Sequence, residues 1–270
     1  MKRERSTEAL RGKVLLITGA TGIAAATAQA AVHAGAKVFL TSRTAEHGQA
    51  LLDSLRVSEG ECGYHAADLT RAEEVEAAVR ACVTRFGRID ALFNVAGISG
   101  RKFGDGPLHE CSEEGWDMTL DTNAKSIFLV CRSVLRQMLV QSPDADGLRG
   151  AILNMASVLA FSPEPKRFGT HAYAASKGAI LAMSKSMAAY YAPHKIRVNA
   201  IAPALVRTPM SRRADEDSEL LEYIRGKQPL CEDMMEAEPV ARAALFLLGG
   251  DAAYITGDVL TVDAGWNVSA

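Results

Sequence analysis

The sequence predicts an α/β protein: a single-domain, Rossmann-like, doubly wound parallel sheet of about seven strands, flanked by helices on both faces. Three observations predict it. Short apolar runs alternate with longer helical patterns along the chain. Gly35 and Gly87 stop two of the helical patterns. Polar and Gly-rich residues gather where the apolar runs end: Thr18–Gly22, Ser42-Arg43, Asp68, Asn94–Gly97, Ser157 and Pro203–Thr208. Alternation of this kind implies right-handed βαβ crossovers, and ligands then bind beyond the carboxyl ends of the strands.

The elements follow in order. Val14–Ile17 reads as the first strand and Ala24–Ala34 as a helix closed by Gly35. Lys37–Thr41 is the second strand, Ala45–Arg56 a helix and Cys62–Ala66 the third strand. Amphipathic Arg71–Phe86 is stopped by Gly87; Ile89–Val95 is the fourth strand and Trp116–Leu139 a long helix. Ala151–Ala156 is the fifth strand, Ala172–Tyr191 a helix and Ile196–Ile201 the sixth strand. Glu238–Leu248 is helical, and Val259–Val262 is a last short strand. The segment 204–237 is rich in charge and Met, lacks a clear strand and is long for a loop, so it is expected to be a lid.

Composition narrows the function classes. A chain of 270 residues with 48% hydrophobic and 23% charged residues is long enough to bury a large core without metal or disulfide. A net charge of −2 offers no general attraction to nucleic acid or anionic lipid. The cysteines Cys62, Cys82, Cys111, Cys131 and Cys231 are widely spaced and form no C-x-x-C, so they read as small buried hydrophobes in a reducing compartment. The histidines form no cluster of metal-ligand type, and no metal is expected. Val14–Ala36 is free of charged residues, but its Thr, Gly, Gln and His content fits a buried strand, turn and helix better than a membrane span. No targeting segment is legible, and a soluble cytoplasmic protein is expected.

Three features carry chemistry. The first strand runs into Thr18-Gly19-Ala20-Thr21-Gly22-Ile23-Ala24, where glycines permit a tight turn and close approach of a pyrophosphate to a helix N-terminus. Tyr173 and Lys177 are four apart at the start of a helix, on one face, so the ammonium is expected to lower the phenol pKa and ready it for proton transfer. Ser157, at the end of the fifth strand, is expected to present its hydroxyl to the ligand crevice.

These features belong to an ordered set. Thr18-Gly19…Gly22-Ile23, Asp68-Leu69, Asn94-Val-Ala96-Gly97, Asn123, Ser157, Tyr173-x-x-x-Lys177, Asn199…Pro203-Ala204…Thr208 and Ile255-Thr-Gly257…Val262-Asp263 follow one another along the chain. From about Gly12 to Trp266 the sequence resembles the compact single-domain branch of the short-chain dehydrogenase/reductase family. The resemblance implies that residues 12–270 are one dinucleotide-binding catalytic domain behind a tail at 1–11. It implies a hydride passed between NAD(P) and a carbonyl or alcohol substrate. By the same resemblance Tyr173 is the general acid/base, Ser157 bonds the substrate oxygen, and Lys177 tunes Tyr173 and holds the ribose. Asn123 orders a water linking Lys177 to solvent. Asp68 and Leu69 contact adenine, and Asn94, Ala96 and Gly97 line the central groove. Thr208 and the backbone near Val206, after Pro203, hold the carboxamide. The first turn, with Gly19, Thr21, Gly22 and Ile23, cradles the pyrophosphate. Members are often tetramers, so a homo-oligomer, tetramer or dimer, is expected.

The departures also inform. The usual first turn, T-G-x-x-x-G-x-G, is here one residue shorter, with Ala24 for the last Gly. Pro203-Ala204 replaces the usual Pro-Gly, and Pro163–Gly169 is an extra stretch expected at the substrate rim. At the end of the second strand Ser42-Arg43 stands where a carboxylate would select NAD, so NADP is favoured over NAD. Ile98, Leu159, Phe161, Leu205 and Met210 are candidate substrate walls, Arg101-Lys102 a candidate anion contact, and His171 a candidate substrate contact. A second reading is a dinucleotide-binding regulator or scaffold with little activity, supported by the altered first turn. Epimerase or dehydratase chemistry on a nucleotide-linked sugar would usually need a sizeable further domain, and little chain follows the last strand.

Overall fold

Seven strands form one parallel sheet in the order β3-β2-β1-β4-β5-β6-β7. They are β1 Val14–Thr18, β2 Lys37–Ser42, β3 Cys62–Ala66, β4 Ala91–Asn94, β5 Gly150–Met155, β6 Ile196–Pro203 and β7 Val259–Val262. The computed structural model describes residues 10–56 and 61–269, so most of the tail expected at 1–11 lies outside the described residues. The order reverses between β1 and β4, and there the two strands' outgoing loops part to opposite sides. Thr18 holds that fork in place: its Oγ1 accepts from Val95 N at 2.9 Å and Ala96 N at 3.2 Å.

Strand alternation sorts the core into two layers. Leu15, Ile17, Val38, Leu40, Phe93, Leu153 and Ile201 face one layer. It is covered by α1 Ile23–His33, α2 Ala45–Arg56 and α9 Ala237–Leu248. Val14, Leu16, Phe39, Leu92, Ile152 and Val198 face the other, covered by α3 Ala72–Phe86, α5 Ser126–Val140 and α6 His171–Tyr191. The buried face of α1 is mostly alanine, which lets it lie close to the sheet.

Two elements differ from the sequence reading. The long helix starts earlier, as α4 Glu113–Leu120, and reaches α5 through a π-turn at Asp121–Lys125. Ser112 begins α4 by accepting from Gly115 N at 3.0 Å. The 204–237 segment holds two short helices, α7 Arg212–Asp215 and α8 Ser218–Lys227. Ala214, Leu220, Ile224 and Met234 of this segment pack with Val158 and Trp266 in a third apolar cluster.

The N-terminus of α6 is anchored from afar. No side chain of its own caps it. Buried Asp105, in the loop after β4, accepts from Ala172 N at 3.0 Å and Tyr173 N at 2.9 Å. It does the work of an N-cap residue and places a negative charge at the positive end of the helix dipole. Asp105→Ala is expected to cost about 1–2 kcal/mol of stability, by analogy with N-cap removal. Differential scanning calorimetry should show a loss of a few degrees in Tm, and Asp105→Asn a smaller one.

Candidate active site

The loops at the carboxyl ends of the strands enclose a cleft of about 420 Å³. Of the residues expected to carry chemistry or hold a dinucleotide, most line it: Gly19, Thr21, Gly22, Ile23, Ser42, Arg43, Asp68, Leu69, Ala96, Gly97, Ser157, Tyr173, Lys177, Pro203, Val206 and Thr208. Asn94 and Asn123 do not. Asn94 ends β4 on the face opposite Phe93, so it turns into the sheet interior. There its Nδ2 donates to Asn154 Oδ1 at 2.9 Å and approaches Cys131 Sγ at 3.3 Å. The groove at that point is lined by the residues after it, Val95–Gly97.

Asn123 sits in the π-turn, fully buried. Its Oδ1 accepts from Ile98 N at 2.8 Å, and its Nδ2 donates to Ile98 O and Ser176 Oγ, both at 3.0 Å. Ser176 in turn donates to Tyr173 O at 2.7 Å. The side-chain amide is thus committed to positioning, with both its protons on protein oxygens. Gly97 fits this junction because a Cβ there would stand 2.9 Å from Asn123 Oδ1.

Lys177 is buried, and its Nζ donates to Met155 O at 2.9 Å. Burial pushes its ammonium down to about 8. Tyr173 is half-buried, with Lys177 Nζ 5.5 Å from its ring centroid. The expected lowering of the phenol pKa is not what this arrangement gives. Burial raises it, the Ser157 hydroxyl pulls it down, and the net direction is upward. Lys177 is bonded to a backbone carbonyl and is itself desolvated, so its charge does not reverse the effect of burial on the phenol. Tyr173 is therefore a phenol at neutral pH, poised to give a proton. Ser157 is 6% exposed, and its Oγ accepts from Leu159 N at 3.2 Å, which leaves the hydroxyl proton to be donated elsewhere.

At the other end, no side chain caps α1 and no acidic residue lies in its first turn; Ala24 N bonds Thr21 O at 3.2 Å and Ala26 N bonds Gly22 O at 3.0 Å, which leaves the amides of Ile23 and Ala25 to face an anion. Gly22 precedes the helix with φ +55°, and a Cβ there would stand 2.9 Å from Thr208 Cγ2. The shortened turn thus still meets Thr208 across the cleft. Ala24 is 1% exposed, and its methyl lies 3.3 Å from where a Cβ on Gly19 would stand. Burial raises the Asp68 carboxyl, but bonds from the Thr70 amide and hydroxyl, with the charges of Arg43 and Arg71, bring it below its ordinary value. Ser42 Oγ lies 3.3 Å from Thr44 O and 3.4 Å from Tyr64 Oη. The residues present fit a dinucleotide along β3, β2 and β1.

Of the candidate substrate walls, Ile98, Leu159, Leu205 and Met210 line the cleft and Phe161, at the surface, does not. From the extra stretch, Phe168 lines it, edge-on to Trp266 with ring centroids 5.8 Å apart. His171 is structural: its Nδ1 accepts from Leu108 N at 3.0 Å. Arg101 lines the cleft, whereas Lys102 lies over the Phe103 ring. Trp266, Arg213, Ser176 and Asp105 were not legible as site residues. Nothing in a lone Asp of a polar loop marks it as the cap of a helix far along the chain. Among the described residues no group of acidic, His and Cys side chains could hold a metal, and no helix is long and apolar enough to cross a membrane.

A family model described as enoyl-(acyl carrier protein) reductase matches residues 18–267. The chain is 36% identical over 265 residues to the A-factor type gamma-butyrolactone 1'-reductase (1S-forming) of Streptomyces virginiae, covering 96% of this chain and 97% of that one. It superposes with a TM-score of 0.88 on a short-chain type dehydrogenase/reductase from Mycobacterium ulcerans, at 28% identity over 97% of this chain and 92% of that chain. It superposes with a TM-score of 0.82 on a 3-ketoacyl-(acyl-carrier-protein) reductase from Brucella melitensis complexed with NADH, at 29% identity over 96% and 99% of the two chains. With this match over nearly its whole length, on a seven-stranded parallel sheet whose cleft holds Ser157, Tyr173 and Lys177, the chain belongs to the short-chain dehydrogenase/reductase family of oxidoreductases.

Proposed function

We propose that the protein is an NAD(P)-dependent carbonyl reductase or alcohol dehydrogenase with Tyr173 as its acid/base. The observation that carries this reading is a half-buried phenol, kept protonated by burial, beside a buried lysine and a serine hydroxyl in one cleft. When bound, the nicotinamide supplies or accepts the hydride. In reduction, Ser157 donates a hydrogen bond to the substrate oxygen and orients it. The carbonyl π pair moves onto that oxygen as the new C–H bond forms, and Tyr173 Oη gives its proton to the same atom. Alcohol oxidation reverses each transfer. Lys177 holds positive charge against the phenolate that Tyr173 becomes, and Asn123 fixes Tyr173 through Ser176. The apolar walls keep water from the reacting carbon.

The first turn of α1 holds the pyrophosphate in this reading, Asp68 and Leu69 border the adenine, and Thr208 the carboxamide. Arg43 favours NADP: it lies in the cleft at the end of β2, where no acidic residue stands. Asp68, whose charge it feels, is already bonded by Thr70. Segment 204–237 acts as the lid over substrate, and assembly as a tetramer or dimer belongs to the same reading.

Tyr173→Phe should keep coenzyme affinity while turnover falls about 10²-fold or more, as loss of a positioned acid/base does. Fluorescence titration with NADPH and NADH, run beside a carbonyl panel, measures both. Coenzyme binding without turnover in the wild type would support the scaffold reading instead. Gly22→Ala forces a side chain into a left-handed backbone and against Thr208, so coenzyme Kd should rise about tenfold or more. The pH profile follows from Lys177: charged below about 8, it loses its proton as pH rises through that value. For reduction, kcat/KM should therefore hold at lower pH and fall across about pH 8. Lys177→Arg, which stays charged, should move that break upward; an unmoved break assigns it to another group.

A further inference from the structure

The cleft has a second polar end. Arg43 and Asp68 mark the side over β2 and β3. On the far side Arg101, in the loop after β4, and Arg213, in α7 after β6, both line the wall. Arg101 is aimed by a neutral atom: its Nη2 donates to Arg167 O, in the β5–α6 connection, at 2.6 Å. The carboxylate whose charge it feels, Asp105, spends its two oxygens on the amides of Ala172 and Tyr173. Arg213 reaches Asp217 only at 3.9 Å, between side chains 55% and 42% exposed, and such pairs are worth little.

The two arginines also act on each other. Burial holds the Arg101 guanidinium below its ordinary value, the like charge of Arg213 adds to that, and Asp105 opposes it. Arg207 in the same segment shows the contrast. It pairs with Asp215, with Asp233 at 2.8 Å and with Glu236 at 3.1 Å, and so serves the fold. Arg101 and Arg213 converge on one cavity with no such counter-charge of their own, and an anion between them removes the repulsion.

We propose that Arg101 and Arg213 clamp an anionic group of the substrate, which is therefore a carbonyl compound, or its alcohol, bearing a carboxylate or a phosphate. The inference rests on the oxidoreductase reading above. The carbonyl lies at Ser157 and Tyr173, the carbon skeleton runs along Leu159, Leu205 and Phe168, and the anion sits at the mouth. One arginine comes from the fixed β4 loop and the other from segment 204–237, so substrate charge ties the two sides of the cleft together. Arg guanidinium suits this task because it offers paired donors to two oxygens.

The test uses matched pairs: acetoacetate and methyl acetoacetate, 4-oxopentanoate and its methyl ester, dihydroxyacetone phosphate and dihydroxyacetone. Wild-type kcat/KM should favour the charged member of at least one pair tenfold or more. The carboxylate and phosphate arms separate the two anions. Arg101→Gln/Arg213→Gln should cut that ratio at least tenfold, mainly through KM of the anion, and Arg213→Lys should retain part of it. Added NaCl should erode the preference in the wild type and not in the double variant. Neutral members preferred or equal throughout, or a ratio kept by the double variant, overturns the clamp. If no member of any pair is turned over, that counts against the reductase reading, and calorimetric titration then tests the clamp alone. Wild type should bind 4-oxopentanoate or dihydroxyacetone phosphate at least tenfold tighter than the double variant; equal affinities for both overturn it.

Discussion

Everything at the candidate site depends on where the first turn of α6 is held. Two backbone amides there, those of Ala172 and Tyr173, are bonded to one buried carboxylate, Asp105. The charge suits the helix terminus, and the two bonds fix the helix in rotation as well as position. Ser176 ties the same turn to Asn123 in the π-turn, and Lys177 ties it to Met155 at the end of β5. A loop, a π-turn and a strand end therefore locate one phenol, and none of the three contacts involves the phenol oxygen. The π-turn contributes directly: it shifts the register of the long helix so that Asn123 faces Ile98 and Ser176 together.

The same enclosure sets the electrostatics. Burial disfavours the charged form of both Tyr173 and Lys177, raising one and lowering the other. The two groups, ordinarily near 10 and 10.5, are thereby pushed apart on the pH scale, the phenol upward and the ammonium down to about 8. The cation comes closer to neutrality, while the proton donor holds its proton more firmly than it would in water. Such burial costs folding energy, since each group gives up hydration. The Met155 carbonyl and the Ser157 hydroxyl return only part of it. Retaining so awkward a pair at the mouth of a cleft, rather than replacing it with apolar residues, is the pattern of a site built for proton transfer.

The fold was legible in the sequence because burial on both faces leaves continuous apolar runs, and Val14–Ile17 can then be read directly as a strand. The interior of the site was legible less evenly. Tyr173 and Lys177 share a helix, so spacing alone puts them on one face. Asn94 misled because its motif suggested the groove, whereas alternation from Phe93 sends it into the α5–α6 layer beside Asn154. The effect of Lys177 on the phenol was misjudged because spacing says nothing of the Met155 carbonyl that occupies the ammonium. Asp105 and Trp266 act over long separations in the chain, and no local pattern encodes such a contact.

The arginines of the cleft and of segment 204–237 show why charge must be read with its partners. By sequence, Arg101 stands out with Lys102 as a candidate anion contact, while Arg207 and Arg213 are two cations of a charge-rich segment. In space they divide. Arg207 lies among three carboxylates, which outweigh its burial cost and hold its proton more firmly. It closes the 204–237 segment on itself. Arg101 is fixed by a carbonyl, which orients a guanidinium without cancelling it. Orientation without neutralisation leaves a positive charge on the wall of the cleft that Arg101 lines. Two such charges set on one cleft repel each other, and Arg101 feels the like charge of Arg213. Under the proposed clamp an occupant of opposite charge between them relieves that repulsion, so the same two residues select the charge of what the cleft takes.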